Sequence, residues 1–174
     1  MSDFVAVLEA KRAAFQASVG TITKQEKPLN ASSSDVLAQL KATASHLAHQ
    51  AADAIQAEIT KATQTAISSN DLEQFKQALE GARIDAVTKI QDALNQTYDQ
   101  AQQLGANLDP ESQNAIVQFM REVEKILDTE LNTICNFIIK AYRDVGSFLP
   151  QAFEKIKDFF GQLSTYIDYC LSHL

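Results

Sequence analysis

His46, His49 and Asp53 stand at i, i+3 and i+7, a spacing that strings three metal-ligand types along one face of a helix. Imidazole and carboxylate are donors that zinc accepts, but a zinc site normally draws a further ligand from a second element. The three are therefore weak metal candidates, and an ordinary solvated helix face is the stronger expectation. No HExxH occurs and no glutamate precedes a histidine by three positions, so the helix-borne di-metal pattern is absent. Nucleophilic chemistry fares no better. There is no GxSxG, and the histidines are confined to one helix and to His173 near the C-terminus. Cys135 and Cys170 are too far apart for CxxC chemistry and both fall on apolar stripes, where a small buried hydrophobe is the expected role. If their helices form a hairpin around Gly146, the two cysteines lie at different heights and do not pair. Gly20, Gly81, Gly105, Gly146 and Gly161 are isolated, so no phosphate-cradling loop is present. No catalytic residue and no cofactor is expected; the chain reads as non-enzymatic.

The elements that would carry these residues are helices, and their punctuation has mechanisms. A first periodic stretch, about 3 to 19, stops at Gly20. A long loop with Pro28, Asn30 and three serines follows, where Ser33 or Ser34 can cap a helix starting at Asp35. Asn70, three residues before Glu73, has capping-box spacing. Gly105 ends one helix, and Asp109 with Pro110 opens the next. Pro150 falls in the first turn of the last helix. The expected helices are about 3 to 19, 35 to 67, 71 to 104, 110 to 145 and 148 to 173. The three central ones would each be about 50 Å long. Gly81 and Gly161 lie inside helical patterns; close packing against a neighbour is preferred to a hinge as their reason.

Apolar spacing supplies the packing. In the second helix Val36, Leu40, Ala44, Leu47, Ala51, Ile55, Ile59, Ala62 and Ala66 recur at nearly an 11-residue repeat. In the fourth, Ile116, Met120, Val123, Leu127, Leu131, Ile134, Ile138 and Tyr142 share a face, with Phe119, Ile126 and Phe137 alongside. In the last, Leu149, Phe153, Ile156, Phe160, Leu163, Ile167, Cys170 and Leu174 alternate by four and three, a coiled-coil seam that Phe159 and Tyr166 widen. Residues 134 to 142 are apolar nearly all round, which calls for cover by more than one neighbour. The predicted fold is all-α: one domain over 1–174, an elongated antiparallel bundle of four main helices over 35–174, with a shorter N-terminal helix and loop over 1–33 that packs on it or protrudes.

Composition narrows the function. Net charge is -7, the wrong sign for a phosphate backbone, and the basic residues do not cluster, so no nucleic acid partner is expected. The N-terminus has no positive segment before an apolar core. The expected location is cytoplasmic, or outside the cell without a classical signal peptide. Ten of the 34 residues from Ser34 to Ile67 are alanine, whereas six of the nine phenylalanines lie between Phe119 and Phe160, so bulk is concentrated in the last two helices.

Five amphipathic helices rich in Ala and Gln, with no Trp, make the chain similar in composition and helix count to exchangeable apolipoprotein bundles and to storage-granule phasins. That resemblance implies helices that cover a lipid or polymer surface; the bulky aromatic C-terminal half departs from it. The leading expectation is an adaptor, scaffold or effector that binds a protein partner through helix faces, with a homo-oligomer compatible with the long helices. Its anchors are Phe137, Phe148, Phe153, Phe159, Phe160 and Tyr166. The alternative is a lipid- or membrane-active bundle, apolipoprotein-like or pore-forming, in which Phe153, Phe159 and Phe160 meet acyl chains.

Overall fold

The computed structural model describes residues 2–17 and 34–174. Its order is α1 (Ser2–Ala17), α2 (Ser34–Ser69), α3 (Leu72–Gly105), α4 (Pro110–Arg143), α5 (Val145–Phe148), a 3-10 turn (Leu149–Gln151) and α6 (Ala152–Ser172). The protein is an all-α helical bundle. The expectations for Gly20, for the Pro28 loop and for Ser33 as a cap lie outside the described residues.

Short connections force antiparallel neighbours, and cross-helix contacts fix the directions. His49 and Lys41 of α2 meet Asp168 and Leu174 respectively, so α2 and α6 run oppositely. Tyr98 and Lys76 of α3 meet Glu124 and Tyr142 of α4, which gives the same relation there. α2 packs on α3 and α6, α3 on α4, and α4 on α6. α1 does not protrude: it packs along α3 and α4, with Phe4 against Gly105 and with Arg12 bonded to Asp99. One apolar core joins residues from every helix, from Phe4 and Leu8 to Leu171.

The helix ends follow local chemistry. Asp109 caps α4, its carboxylate accepting from the Ser112 backbone N–H at 2.8 Å and from the Ser112 hydroxyl. These bonds hold Asp109 below the usual carboxylate range. At the α2–α3 turn the expected capping box is not formed. Asp71 is the cap, its Oδ1 accepting from the Gln74 N–H, while Asn70 sits at φ 54° and its N–H returns to the Ala66 carbonyl. Asn70 thus closes α2 in the left-handed conformation that asparagine tolerates.

The seams differ from the expected stripes in ways that neighbours explain. In α2, Ala48 and Thr63 are buried where Leu47 and Ala62 are only half-buried, because α2 touches α3, α6 and α4 and buries a band wider than one stripe. In α4, Ala141 is buried and Tyr142 is exposed, since the 3.6-residue helix drifts from a strict heptad. In α6, Ala152 is buried and Phe153 exposed, and Leu171 replaces Cys170 as the innermost residue. Between them Ile156, Phe160, Leu163 and Ile167 are buried as expected, and the swaps at the two ends are the same drift of a 3.6-residue helix from the heptad. The well-covered part of α4 is not 134 to 142, where Asn136, Ile139 and Lys140 are exposed. It is the first half, where 112 to 120 are buried but for Asn114; α1 is one of the helices packed against α4.

Candidate interaction surface

The aromatic side chains divide into an interior set and an exterior set. Phe137 of α4 stacks on Phe159 of α6 with centroids 4.2 Å apart and meets Phe148 and Phe160 edge-on. Phe148 in turn lies against Phe75 of α3, and Phe159 against Phe160. Offset and edge-on pairs of this kind favour the aromatic quadrupole. The sequence placed Phe137, Phe148, Phe159 and Phe160 among the anchors for a partner; the structure brings them together as a clasp that closes α4, α5 and α6 on α3. Phe148 and Phe160 are buried, and Phe137 and Phe159 half-buried. Of the six anchors, only Phe153, 45% exposed, and Tyr166, 37% exposed, present substantial area to solvent.

Other large apolar side chains outside the six anchors do so as well. Ile84 on α3 and Ile139 and Tyr142 on α4 are exposed. Tyr142 is turned toward α3, where Lys76 lies over its ring at 5.6 Å. Arg83, beside Ile84, pairs with Glu80 through two hydrogen bonds, which hold Glu80 below the usual carboxylate range. Cys135 on α4 is half-buried near Arg83, and burial raises its thiol above the ordinary value. Both cysteines are free. The α3–α4 surface therefore carries α1 at one end, around Gly105 and Asp99, and exposed Ile139 and Tyr142 at the other. The signal in the sequence was the run 134 to 142, apolar on more faces than its neighbours cover.

The histidine cluster does not converge. His49 turns to α6, its Nε2 lying 2.7 Å from Asp168 Oδ1 and its Nδ1 3.4 Å from Ser164. His46 lines a surface groove of about 500 Å³ between α2 and α3, with Gln96, Asp99, Gln100 and Gln103. Asp53 is exposed on α2. The i, i+3, i+7 spacing holds, but two neighbouring helices claim different members. Among the described residues no three His, Cys, Asp or Glu side chains form a metal-holding group. A second groove, about 260 Å³, lies between α4 and α6 and is lined by Thr129, Thr133, Phe159, Gln162, Leu163 and Tyr166.

Polar groups inside the bundle were not foreseen. The Tyr98 hydroxyl donates to Glu124 Oε2 at 2.7 Å, with both residues buried. Burial first, and the Glu124 charge second, raise the phenol far above its ordinary range. Nearer the surface, half-buried Glu58 of α2 lies beside exposed Asp85 of α3, and burial with this second carboxyl raises Glu58. Glu130 of α4 is fully buried. Among the described residues no helix is long and apolar enough to cross a membrane. No protein-family model, curated protein or solved structure matches the chain.

Proposed function

We propose that this protein is a non-enzymatic interaction module, an adaptor, scaffold or effector that binds a protein partner through exposed helix faces while its bundle stays closed. The observation that carries this reading is the α3–α4 surface: exposed Ile139 and Tyr142 lie beyond the stretch where α1 packs on the same two helices. α1 presents Phe4, Leu8 and Phe15 inward, which supports a preference of this surface for an amphipathic helix docked at i, i+4 and i+11. Phe153 and Tyr166 are secondary contacts on α6. Mixed charges around the apolar residues, Lys76, Glu80 and Arg83, suit a protein rim better than an anionic polymer. Photo-crosslinking tests it: a photoreactive phenylalanine at 139 or 142 is expected to give a discrete protein adduct in the producing cells, whereas one at exposed Asp53 gives none. Equal labelling at all three positions contradicts the reading.

A second reading has its own support. The aromatic clasp joins the first half of α6 to α4 by ring contacts, and just past the end of α6 Lys41 donates to the Leu174 carbonyl. Swinging α6 out would free Phe159 and Phe160 for acyl chains, as a lipid-active bundle requires. This reading needs the bundle to open, which separates it from the first.

A further inference from the structure

Glu130 is the one carboxyl with 0% exposure whose two oxygens both lack a hydrogen-bond partner among the described residues. It lies on α4 between Leu127, Leu131 and Ile134, all buried. It is seven residues from Phe137, hence on the same helix face two turns away, and Phe137 is the ring that stacks on Phe159 of α6. The α4–α6 groove lined by Thr129, Thr133, Leu163 and Tyr166 runs beside it.

Several charged and titratable groups on the helices around it are paired with other residues, among them the buried carboxyl of Asp128, which accepts from Asn132. On α6, Asp168 pairs with His49 of α2, and Tyr166 bonds with Cys170 and Thr129. On α3, Asp85 and Lys89 interact with Glu58 of α2, and Arg83 with Glu80. On α1, Arg12 pairs with Asp99. On α4 itself Lys125 pairs with Glu122. A carboxylate left alone in apolar surroundings takes up a proton or draws water to itself.

We propose that Glu130 is a proton-operated latch on the α4–α6 seam: the closed bundle holds it as the neutral acid, and loss of its proton to solvent through the Thr129–Tyr166 groove parts α6 from α4. The proposal stands whether the protein's target is a protein or a lipid surface. Burial raises Glu130 well above the ordinary value of 4.5, so the closed state binds the proton more tightly than the open one. Its contribution to stability is complete below pH 4.5 and is lost as pH rises through the raised folded value. Within that window the unfolding equilibrium constant rises about tenfold per pH unit for this proton.

Urea unfolding of the wild-type chain and of Glu130→Gln, from about pH 5 to about pH 8 at fixed ionic strength, isolates the effect. The pairs His49–Asp168 and Glu58–Asp85 are kept in both and cancel in the comparison. The ratio of the two unfolding constants is expected to climb with pH at up to about tenfold per unit, while amide exchange in the wild type accelerates in α6 beyond its intrinsic pH dependence. A ratio independent of pH overturns the proposal, as does an acceleration spread evenly over all helices. Should Glu130→Gln not fold, the side-chain carboxyl ¹³C shift of Glu130 in the wild-type chain decides: a neutral carboxyl persisting above the ordinary carboxylate range supports the latch, and titration within that range overturns it.

Discussion

Tyr98 and Glu124 make the clearest case at the scale of single residues. Their bond, 2.7 Å long and buried, ties α3 to α4. A hydrogen bond to a charged group contributes about 1.5–3 kcal/mol, and removing the donor deprives a buried acceptor of a partner. Tyr98→Phe is therefore expected to destabilise the bundle by roughly 1.5–3 kcal/mol in denaturant unfolding; a change below about 0.5 kcal/mol would contradict this weight for the bond. Residue-level chemistry was only partly legible in the sequence. Asp109 and Pro110 read correctly, because a cap and a first-turn proline act within one turn of chain. Asn70 did not: its side chain suits a cap and a left-handed residue equally, and the choice fell to Asp71 next to it. Pairs such as Tyr98–Glu124, and the solitary Glu130, join or isolate residues far apart in sequence and leave no spacing to read.

The glycines show what belongs to the scale of elements. A Cβ built on Gly105 would come within 2.5 Å of the Phe4 ring and 2.9 Å of Ile116, so the end of α3 is glycine because α1 crosses there. Gly81 and Gly161 have nothing within 4 Å of that position, and the close packing expected for them is not found. The two classes should respond oppositely. Gly105→Ala is expected to cost about 1–3 kcal/mol as Phe4 is pushed off the bundle, whereas Gly161→Ala, on the exposed side of α6, should stabilise by roughly 0.5–1 kcal/mol through helix propensity alone. Thermal midpoints that fall in both variants would contradict this. The register of α6 has a related lesson: the four-and-three spacing holds from Ile156 to Ile167, but a 3.6-residue helix drifts from it, so Ala152 and Leu171 are buried at the two ends where Phe153 and Cys170 were named. A strict heptad names a helix's buried face only over its middle turns.

At the scale of the whole molecule, the long helices and their antiparallel order were legible, since long amphipathic stretches with short connections leave few arrangements, although the expected last helix, 148 to 173, is divided into α5, a 3-10 turn and α6. The site was less so. Phenylalanines grouped near the C-terminus read as a docking surface, yet four of the six clasp one another, because a large ring satisfies core and interface equally. Where α1 packs decides which apolar residues of α3 and α4 remain outside, and no local pattern encodes that. The protein carries a net charge of -7, so charge attraction cannot draw it to a neutral membrane. Flotation of the purified chain with neutral vesicles, with light scattering on the same sample to give its mass, therefore tests most directly whether it acts as a closed bundle. A surface-acting bundle is expected to stay unbound, at a single defined mass. Flotation with neutral vesicles that is abolished by Phe159→Ser with Phe160→Ser, rings that the closed form keeps in its clasp, would show that the bundle opens onto lipid and would contradict the protein-binding reading.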